Sequence, residues 1–254
     1  MKNDTKKTLK TLSTLLTVTL LLALPRSVAL ADDDSNPRIL PPNSHPYGKT
    51  YGRWSTAWWQ WVFSLPANNS PILDTGDCSA GQSGKVWFLA GAFAPTTVTR
   101  QCTIPPGTAL FFPLANAWAD NTGCPSYTTF TAQELADMAK GFVDSAGAIT
   151  CTIDGVPVQG VANAAQSRYR VGPQVFKYTL AQTDNILANY FGATCIADGT
   201  VVTPAAEDGV YLMVAPLPAG SHTIHFTVQG FLDITYVLTV QKKPAGQQDG
   251  DDED

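Results

Sequence analysis

The chain of 254 residues predicts a mainly β protein, an antiparallel β-sandwich of jelly-roll or immunoglobulin-like type with two or three short helices packed on it. Three observations predict this class. Short apolar or alternating runs recur along the chain, turns rich in glycine and proline separate them, and only three segments have helical periodicity. We therefore expect a single β-rich domain over residues 47–242.

The first 31 residues are predicted to be a signal peptide. Four lysines precede an uncharged apolar run at residues 12–24, Pro25 ends that run, and Ala29-Leu30-Ala31 offers small residues for cleavage. This run is shorter than the roughly 20 residues that a helix needs to cross a bilayer, which disfavours the alternative of an uncleaved anchor. We expect a secreted or periplasmic location after cleavage near Ala31, with no transmembrane segment in the mature chain.

Acidic residues are concentrated at the two ends of the mature chain. Loss of residues 1–31 removes five of the sixteen Lys and Arg and one of the twenty-one Asp and Glu, so the net charge falls from −5 to −9. Eight of the remaining acidic residues lie within residues 32–34 and 249–254, and the nearly neutral body does not predict a nucleic-acid partner. We expect an extended segment at residues 32–46 and a disordered tail at 243–254. That tail could hold calcium loosely, and we expect no other cofactor and no metal site.

The longest predicted helix covers residues 51–65 and ends before Pro66. Its apolar stripe recurs at i, i+4, i+7 and i+11: Trp54, Trp58, Trp61 and Leu65. Trp59 lies off the centre of this stripe, so we expect it to be the most exposed of these tryptophans.

Two further helices are predicted at residues 132–145 and 185–191. Thr131 and Glu134 have the spacing of a capping box, which indicates where the first of these begins. Its expected buried face contains Leu135, Met138 and Phe142.

The predicted strands differ in their patterns. Residues 86–90 and 210–214 are continuous apolar runs, typical of strands buried on both faces. Residues 110–114 are similar, but Pro113 predicts an edge or a bulge there. The remaining predicted strands form a hairpin over residues 149–158 and an alternating pair at 224–228 and 232–238.

All five cysteines follow the predicted cleavage site, where an oxidising compartment favours disulfides. Fifteen arrangements of two disulfides and one free thiol are open. We favour Cys78–Cys102, which flank one predicted strand and its turn. Cys151–Cys195 is the second expectation, leaving Cys124 as the free thiol.

No strong catalytic signature is present. Residues 81–84 read Gly-Gln-Ser-Gly, which is not the nucleophile motif of hydrolases, and nucleotide-binding and zinc-protease motifs are missing from the sequence. The catalytic candidates are therefore isolated residues that could act as general acids or bases: His225, Asp233, Asp120 and Glu207. A role in turns or caps is the alternative for each carboxylate.

Aromatic residues give the other functional signal. Four of the six tryptophans lie within residues 54–61, and a further one is Trp118. Because aromatic rings stack on sugars and on flat apolar ligands, Trp59, Trp54 and Trp118 are candidate ligand-binding residues. The alternative is that the tryptophan helix buries its stripe against a sheet.

Several motifs resemble a family of secreted bacterial proteins of unknown function. They are Trp54-Ser55 followed by Trp58-Trp59-Gln60-Trp61, the segment from Cys78 through Gly81-Gln82-Ser83-Gly84 to Val86-Trp87-Phe88-Leu89-Ala90-Gly91, and Cys102-Thr103-Ile104-Pro105-Pro106-Gly107. The resemblance covers most of the mature chain and implies a single domain with a Cys78–Cys102 disulfide. Cys124, Cys151 and Cys195 depart from the usual pattern. The resemblance to this family implies no activity.

Two hypotheses follow. The first is a non-catalytic extracytoplasmic domain that binds a glycan or a small apolar ligand through aromatic side chains. The second is a secreted hydrolase that cleaves an ester or glycosidic bond with carboxylates and His225. The lack of a nucleophile motif favours the first.

Overall fold

The computed structural model describes residues 36, 38–122 and 129–243, which belong to one compact unit. The predicted signal peptide, the acidic tail beyond residue 243 and Cys124 lie outside the described residues. Within these ranges no helix is both long enough and apolar enough to span a bilayer.

In the described residues the fold is mainly β, with two mixed sheets and three α-helices. The nine strands are β1 (Val86–Phe88), β2 (Thr96–Ile104), β3 (Ala109–Asp120), β4 (Ile149–Ile153), β5 (Val156–Pro157), β6 (Arg170–Thr179), β7 (Val201–Val214), β8 (Gly220–Val228) and β9 (Leu232–Val240). The four-stranded sheet has the order β1-β3-β7-β6, and the five-stranded sheet has the order β2-β9-β8-β4-β5.

Two strand pairs correct the expectation of purely antiparallel sheets. β1 runs parallel to β3, and β2 runs parallel to β9, whereas the other pairs are antiparallel. The parallel pair β1–β3 arises because the chain crosses to the other sheet as β2 and then returns in its original direction. Jelly-roll or immunoglobulin-like connectivity stays a prediction.

The two sheets share one hydrophobic core. Phe112 and Leu212 of the four-stranded sheet belong to the same buried cluster as Phe226 and Ile234 of the five-stranded sheet. The Phe112 and Phe226 rings lie 5.7 Å apart in a stacked arrangement. Burying each such side chain stabilises the fold by about 1.5–3 kcal/mol, so this cluster holds the sheets in a sandwich-like arrangement.

Helix α1 (Tyr51–Ser64) covers the opposite face of the four-stranded sheet. The Thr50 side chain caps it by accepting a hydrogen bond from the Arg53 amide. The indole N–H of Trp58 donates to the Leu89 carbonyl at 2.9 Å, which ties the helix to the chain after β1. The predicted helix is confirmed to within one residue at its C-terminal end.

Helix α2 (Ala132–Asp144) begins with the predicted capping box of Thr131 and Glu134. It packs on the same face of β7 as the sandwich core, because alternate residues share a face: Ala206 contacts α2, and Val210 lies in the core. The short helix α3 (Ile186–Asn189) packs on the α1 side.

A bulge in β3 reverses the faces of that strand. Pro113 pairs with Tyr211 and Ala115 with Val210, so Leu114 is the extra residue. Before the bulge, Phe111 faces α1, and after it Asn116 and Trp118 do. The bulge predicted from Pro113 is therefore confirmed.

The Cys78–Cys102 disulfide is confirmed, and the Cys151–Cys195 disulfide is wrong. Cys151 is a free, buried thiol whose side chain points from β4 into the sandwich core. Cys195 lies beyond α3 on the other side of the four-stranded sheet, so the two sulfurs cannot meet. Cys195 is itself disulfide-bonded.

Candidate functional site

A cleft of about 620 Å³ lies along the edge of β3. β1 pairs with β3 only at Ala109–Phe111, so within the described chain no strand covers this edge further on. The cleft is enclosed by the segment after β1, the C-terminal end of α2 and the turn between β8 and β9. Its principal side chains are Trp59, Phe93, Asn116, Trp118, Phe142 and Phe231.

None of the described residues that line this cleft carries a charge. Aromatic and aliphatic side chains form most of it, and the only polar side chains among the lining residues are those of Asn116, Ser145 and Gln229. The Ser145 hydroxyl already donates to the Phe142 carbonyl at 2.7 Å. A mainly apolar surface with few polar groups is typical of small-molecule sites, and the volume lies within their usual range.

Two of the three predicted ligand-binding tryptophans line the cleft. The rings of Trp59 and Trp118 lie 5.1 Å apart, and Phe93 lies 5.4 Å from Trp118. The expectation that Trp59 is the most exposed is wrong: only 2% of its surface is accessible. The Trp59 ring stacks on Phe63 at 5.6 Å. Trp59 is buried because chain segments beside α1 cover the edge of the apolar stripe as well as its centre.

The third tryptophan, Trp54, lies elsewhere. Its ring packs at 6.3 Å from Phe88 and 6.4 Å from Phe111, and its indole N–H donates to the Pro46 carbonyl at 2.9 Å. The Lys49 ammonium lies 4.3 Å above the same ring. Trp54 therefore fastens the segment before α1 to the sheet and does not contribute to the cleft.

Two exposed phenylalanines lie at the cleft. Phe142 is 65% exposed and Phe231 is 41% exposed. The sequence placed Phe142 on the buried face of α2, which is wrong. The helix is rotated so that its buried stripe is Leu135, Ala136, Ala139 and Val143, leaving Phe142 beside the cleft.

A fully buried polar cluster lies behind the cleft. The Glu207 carboxyl contacts the Ser55 hydroxyl through Oε1 at 2.5 Å and the Tyr211 hydroxyl through Oε2 at 2.7 Å. The Tyr211 oxygen also accepts hydrogen bonds from Trp59 Nε1 at 3.1 Å and from Asn116 Nδ2 at 3.2 Å. Since Trp59 and Asn116 line the cleft, this cluster connects its wall to the sealed carboxyl.

The Glu207 carboxyl is neutral at pH 7. Burial raises its pKa to about 8, because the hydrogen bonds with Ser55 and Tyr211 offset only part of the lost hydration. No surface of Glu207 is accessible, so a substrate cannot reach it in this conformation.

Both carboxylate oxygens of Asp120 also form hydrogen bonds with neighbouring residues. Its Oδ2 accepts hydrogen bonds from Trp118 Nε1 at 2.8 Å and from the Tyr178 hydroxyl at 2.5 Å. Its Oδ1 contacts the backbone and side chain of Thr122. Asp120 thus orients the ring of Trp118 at the cleft.

The other two catalytic candidates, His225 and Asp233, do meet. His225 Nε2 lies 2.8 Å from Asp233 Oδ1 on the outer face of the five-stranded sheet, and both are partly exposed. Asp233 lines a second concavity of about 520 Å³ beside the β8–β9 turn. Glu207 and Asp120 face α1, two layers away, so the four candidates do not form one site.

The described residues contain no group of three or more His, Cys, Asp or Glu side chains that could hold a metal ion. The acidic tail beyond residue 243, for which loose calcium binding is predicted, lies outside the described residues.

Sequence reasoning missed Phe93, Phe231, Asn116, Ser55 and Tyr211. One signal was present, since Asn116 interrupts the apolar run of β3. The other four carry no signature of their own, because their roles depend on contacts between distant segments.

Comparison of the chain with family models, with curated proteins and with solved structures gives no match.

Proposed function

We propose that this protein binds a small, uncharged and mostly apolar ligand in the cleft beside β3. The observation that carries the proposal is the combination of a concave aromatic lining with two exposed phenylalanines, Phe142 and Phe231. Water contact with such rings costs free energy, and covering one phenylalanine recovers about 1.5–3 kcal/mol. A ligand in the cleft would cover both.

An apolar ligand is favoured over a glycan. Stacking on a sugar needs an accessible ring face with several polar groups around it. Trp59 is almost fully buried, and the Trp118 ring already contacts Trp59, Phe63, Phe93 and Phe191 at 5.1–5.4 Å. These contacts leave little flat surface for a sugar ring.

We place this binding outside the cytoplasm. The Cys78–Cys102 disulfide and the disulfide of Cys195 are consistent with an oxidising compartment. The predicted signal peptide at residues 1–31 would supply the route, and an apolar molecule that passes through envelope or medium would be the ligand.

Fluorescence titration with the neutral apolar dye N-phenyl-naphthylamine tests the proposal. Wild-type protein is expected to bind the dye saturably with one site per chain. Phe142→Asp is expected to weaken binding at least tenfold, because it places a charge at the apolar cleft. Folding of this variant should be unaffected, since Phe142 is 65% exposed.

Val175→Asp is the matched control. Val175 is 57% exposed on β6 and does not line the cleft, so the dye should bind this variant as it binds wild type. Equal weakening in both variants, or saturable binding of a neutral oligosaccharide that leaves the dye in place, would contradict the proposal.

A secreted hydrolase is the second candidate, favoured by the 2.8 Å contact between His225 and Asp233 beside the second concavity. The purified mature protein would be screened against a panel of esters and glycosides. Turnover that His225→Ala abolishes would support this candidate, and no turnover across the panel would remove it.

A further inference from the structure

A directional chain of hydrogen bonds runs from α1 to the cleft. It begins at Ser55, whose Oγ lies 2.9 Å from the Gly52 carbonyl and 2.5 Å from Glu207 Oε1. A serine hydroxyl has one proton to donate. Both contacts are hydrogen bonds only if Ser55 donates to Gly52 and the Glu207 carboxyl donates to Ser55.

The same reasoning orients Tyr211. With the proton of Glu207 on Oε1, its Oε2 is a buried acceptor that must receive a hydrogen bond, and the Tyr211 hydroxyl at 2.7 Å is its partner. Tyr211 therefore has no proton left for Asn116. Its oxygen accepts from Trp59 Nε1, which can only donate, and from the Asn116 amide NH₂.

The orientation of Asn116 follows. Its Nδ2 is directed to Tyr211, so its Oδ1 is the atom left for a molecule in the cleft, and no described residue donates to this oxygen. The cleft thus offers a fixed hydrogen-bond acceptor in an apolar surface. By contrast, the exposed Gln229 at the same cleft has no hydrogen bond to fix its side-chain amide among the described residues.

We propose that the ligand is an apolar alcohol or similar molecule with one hydrogen-bond donor, and that Asn116 selects it by accepting that hydrogen bond. This inference rests on the proposed function. A carboxylate is disfavoured, because no Lys, Arg or His is among the described residues that line the cleft and its charge would meet the Asn116 oxygen. A pure hydrocarbon would leave that oxygen without a partner.

Displacement of bound N-phenyl-naphthylamine by three molecules of equal chain length tests the inference. The competitors are decanol, decyl methyl ether and decanoate. Wild-type protein is expected to bind decanol about fivefold to tenfold more tightly than the ether, which cannot donate, and to bind decanoate most weakly.

Asn116→Leu should lower the affinity for decanol to that for the ether and leave the affinity for the ether unchanged. The control is Gln229→Leu in the same cleft, which should keep the preference for the alcohol. If Asn116→Leu fails to fold, the order of the wild-type affinities for the three competitors still tests the inference.

Equal affinity of wild type for decanol and the ether overturns the inference, as does a preference that Gln229→Leu removes and Asn116→Leu keeps. Both results leave the proposed function standing, because both competitors still bind. The proposed function fails separately, if the dye does not bind or if Phe142→Asp binds it as wild type does.

Discussion

Glu207 and Asp208 are neighbours on β7, both fully buried, and the fold accommodates them in opposite ways. Glu207 faces α1 and contacts only neutral groups, the hydroxyls of Ser55 and Tyr211. Asp208 faces α2 and binds Arg170 through both carboxylate oxygens, at 2.8 and 3.0 Å. Equal burial therefore gives a neutral acid on one face of the strand and an ion pair on the other.

The difference follows from what each face has to do. The Arg170 guanidinium that binds Asp208 also donates through Nη1 to Asp144 Oδ1, at the end of α2, at 2.6 Å. This second ion pair links α2 to the sheet. The α1 face around Glu207 instead supports the wall of the cleft, where a fully buried charge without a partner would be costly. A protonated carboxyl holds α1 through hydrogen bonds and adds no charge.

The largest expected effect comes from breaking the ion pair. Arg170→Met leaves Asp208 buried without a counter-charge, and we expect a loss of about 3–5 kcal/mol in the free energy of unfolding. Urea denaturation at pH 7 measures it. The control is Lys140→Met, which removes a surface partner of Asp144 and should cost less than about 0.5 kcal/mol.

Hydrogen exchange on Arg170→Met sharpens the comparison. Amides of α2 should lose protection, while those of α1 keep it, because Arg170 contacts only the α2 side. Similar costs for Arg170→Met and Lys140→Met would show that the buried pair does not fasten α2.

The next largest effect is the pH dependence of stability that the protonated Glu207 carboxyl causes. The pKa of Glu207 is raised from 4.5 to about 8 in the folded state, so the folded protein holds a proton that the unfolded chain has lost between these pH values. Stability therefore falls as pH rises through this window, by on the order of 3 kcal/mol between pH 4.5 and 7. Glu207→Gln, which keeps both hydrogen bonds, should remove this decline and be the more stable protein at pH 7.

Urea denaturation at several pH values between 4.5 and 8 measures the difference between Glu207→Gln and wild type. Glu134→Gln is the control, because Glu134 is exposed and should leave the decline in place. A Glu207→Gln protein less stable than wild type at pH 7 would mean that Glu207 is ionised, and the contrast with Asp208 would be lost.

The smallest effect distinguishes the two helices by their caps. Thr131→Ala removes the two hydrogen bonds that the Thr131 hydroxyl makes with Glu134 in the capping box, whereas Thr50→Ala removes a single one from the Arg53 amide. We expect a cost of about 1 kcal/mol for Thr131→Ala and less for Thr50→Ala, measured by thermal unfolding. The reverse order would indicate that packing against the sheet, and not capping, limits α2.

Features with local signals were predictable from the sequence. The capping box of α2, the tryptophan stripe of α1 and the bulge at Pro113 each depend on residues a few positions apart, and all three are confirmed. The parallel pairing of β2 with β9 depends on segments more than a hundred residues apart, and no local pattern encodes it.

The cleft was only half predictable. Trp59 and Trp118 were identified as candidates, but their neighbours Phe93, Phe142 and Phe231 come from three distant segments. Helical periodicity placed Phe142 in the core, because it cannot show how a helix is rotated about its own axis on the sheet. Spacing could not reveal either that Glu207 is sealed and neutral while Asp208, one residue later, is paired.

The extra residue in β3 gives the cleft its chemistry. If Leu114 were paired as an ordinary strand residue, the alternation set by Phe111 would continue, and Ala115 and Ala117 would face α1 in place of Asn116 and Trp118. The amide would then lie on the sandwich side, away from Tyr211. Ligand preference in this fold is therefore a matter of odd and even positions, because one unpaired residue before Asn116 decides which side chains of β3 reach the cleft.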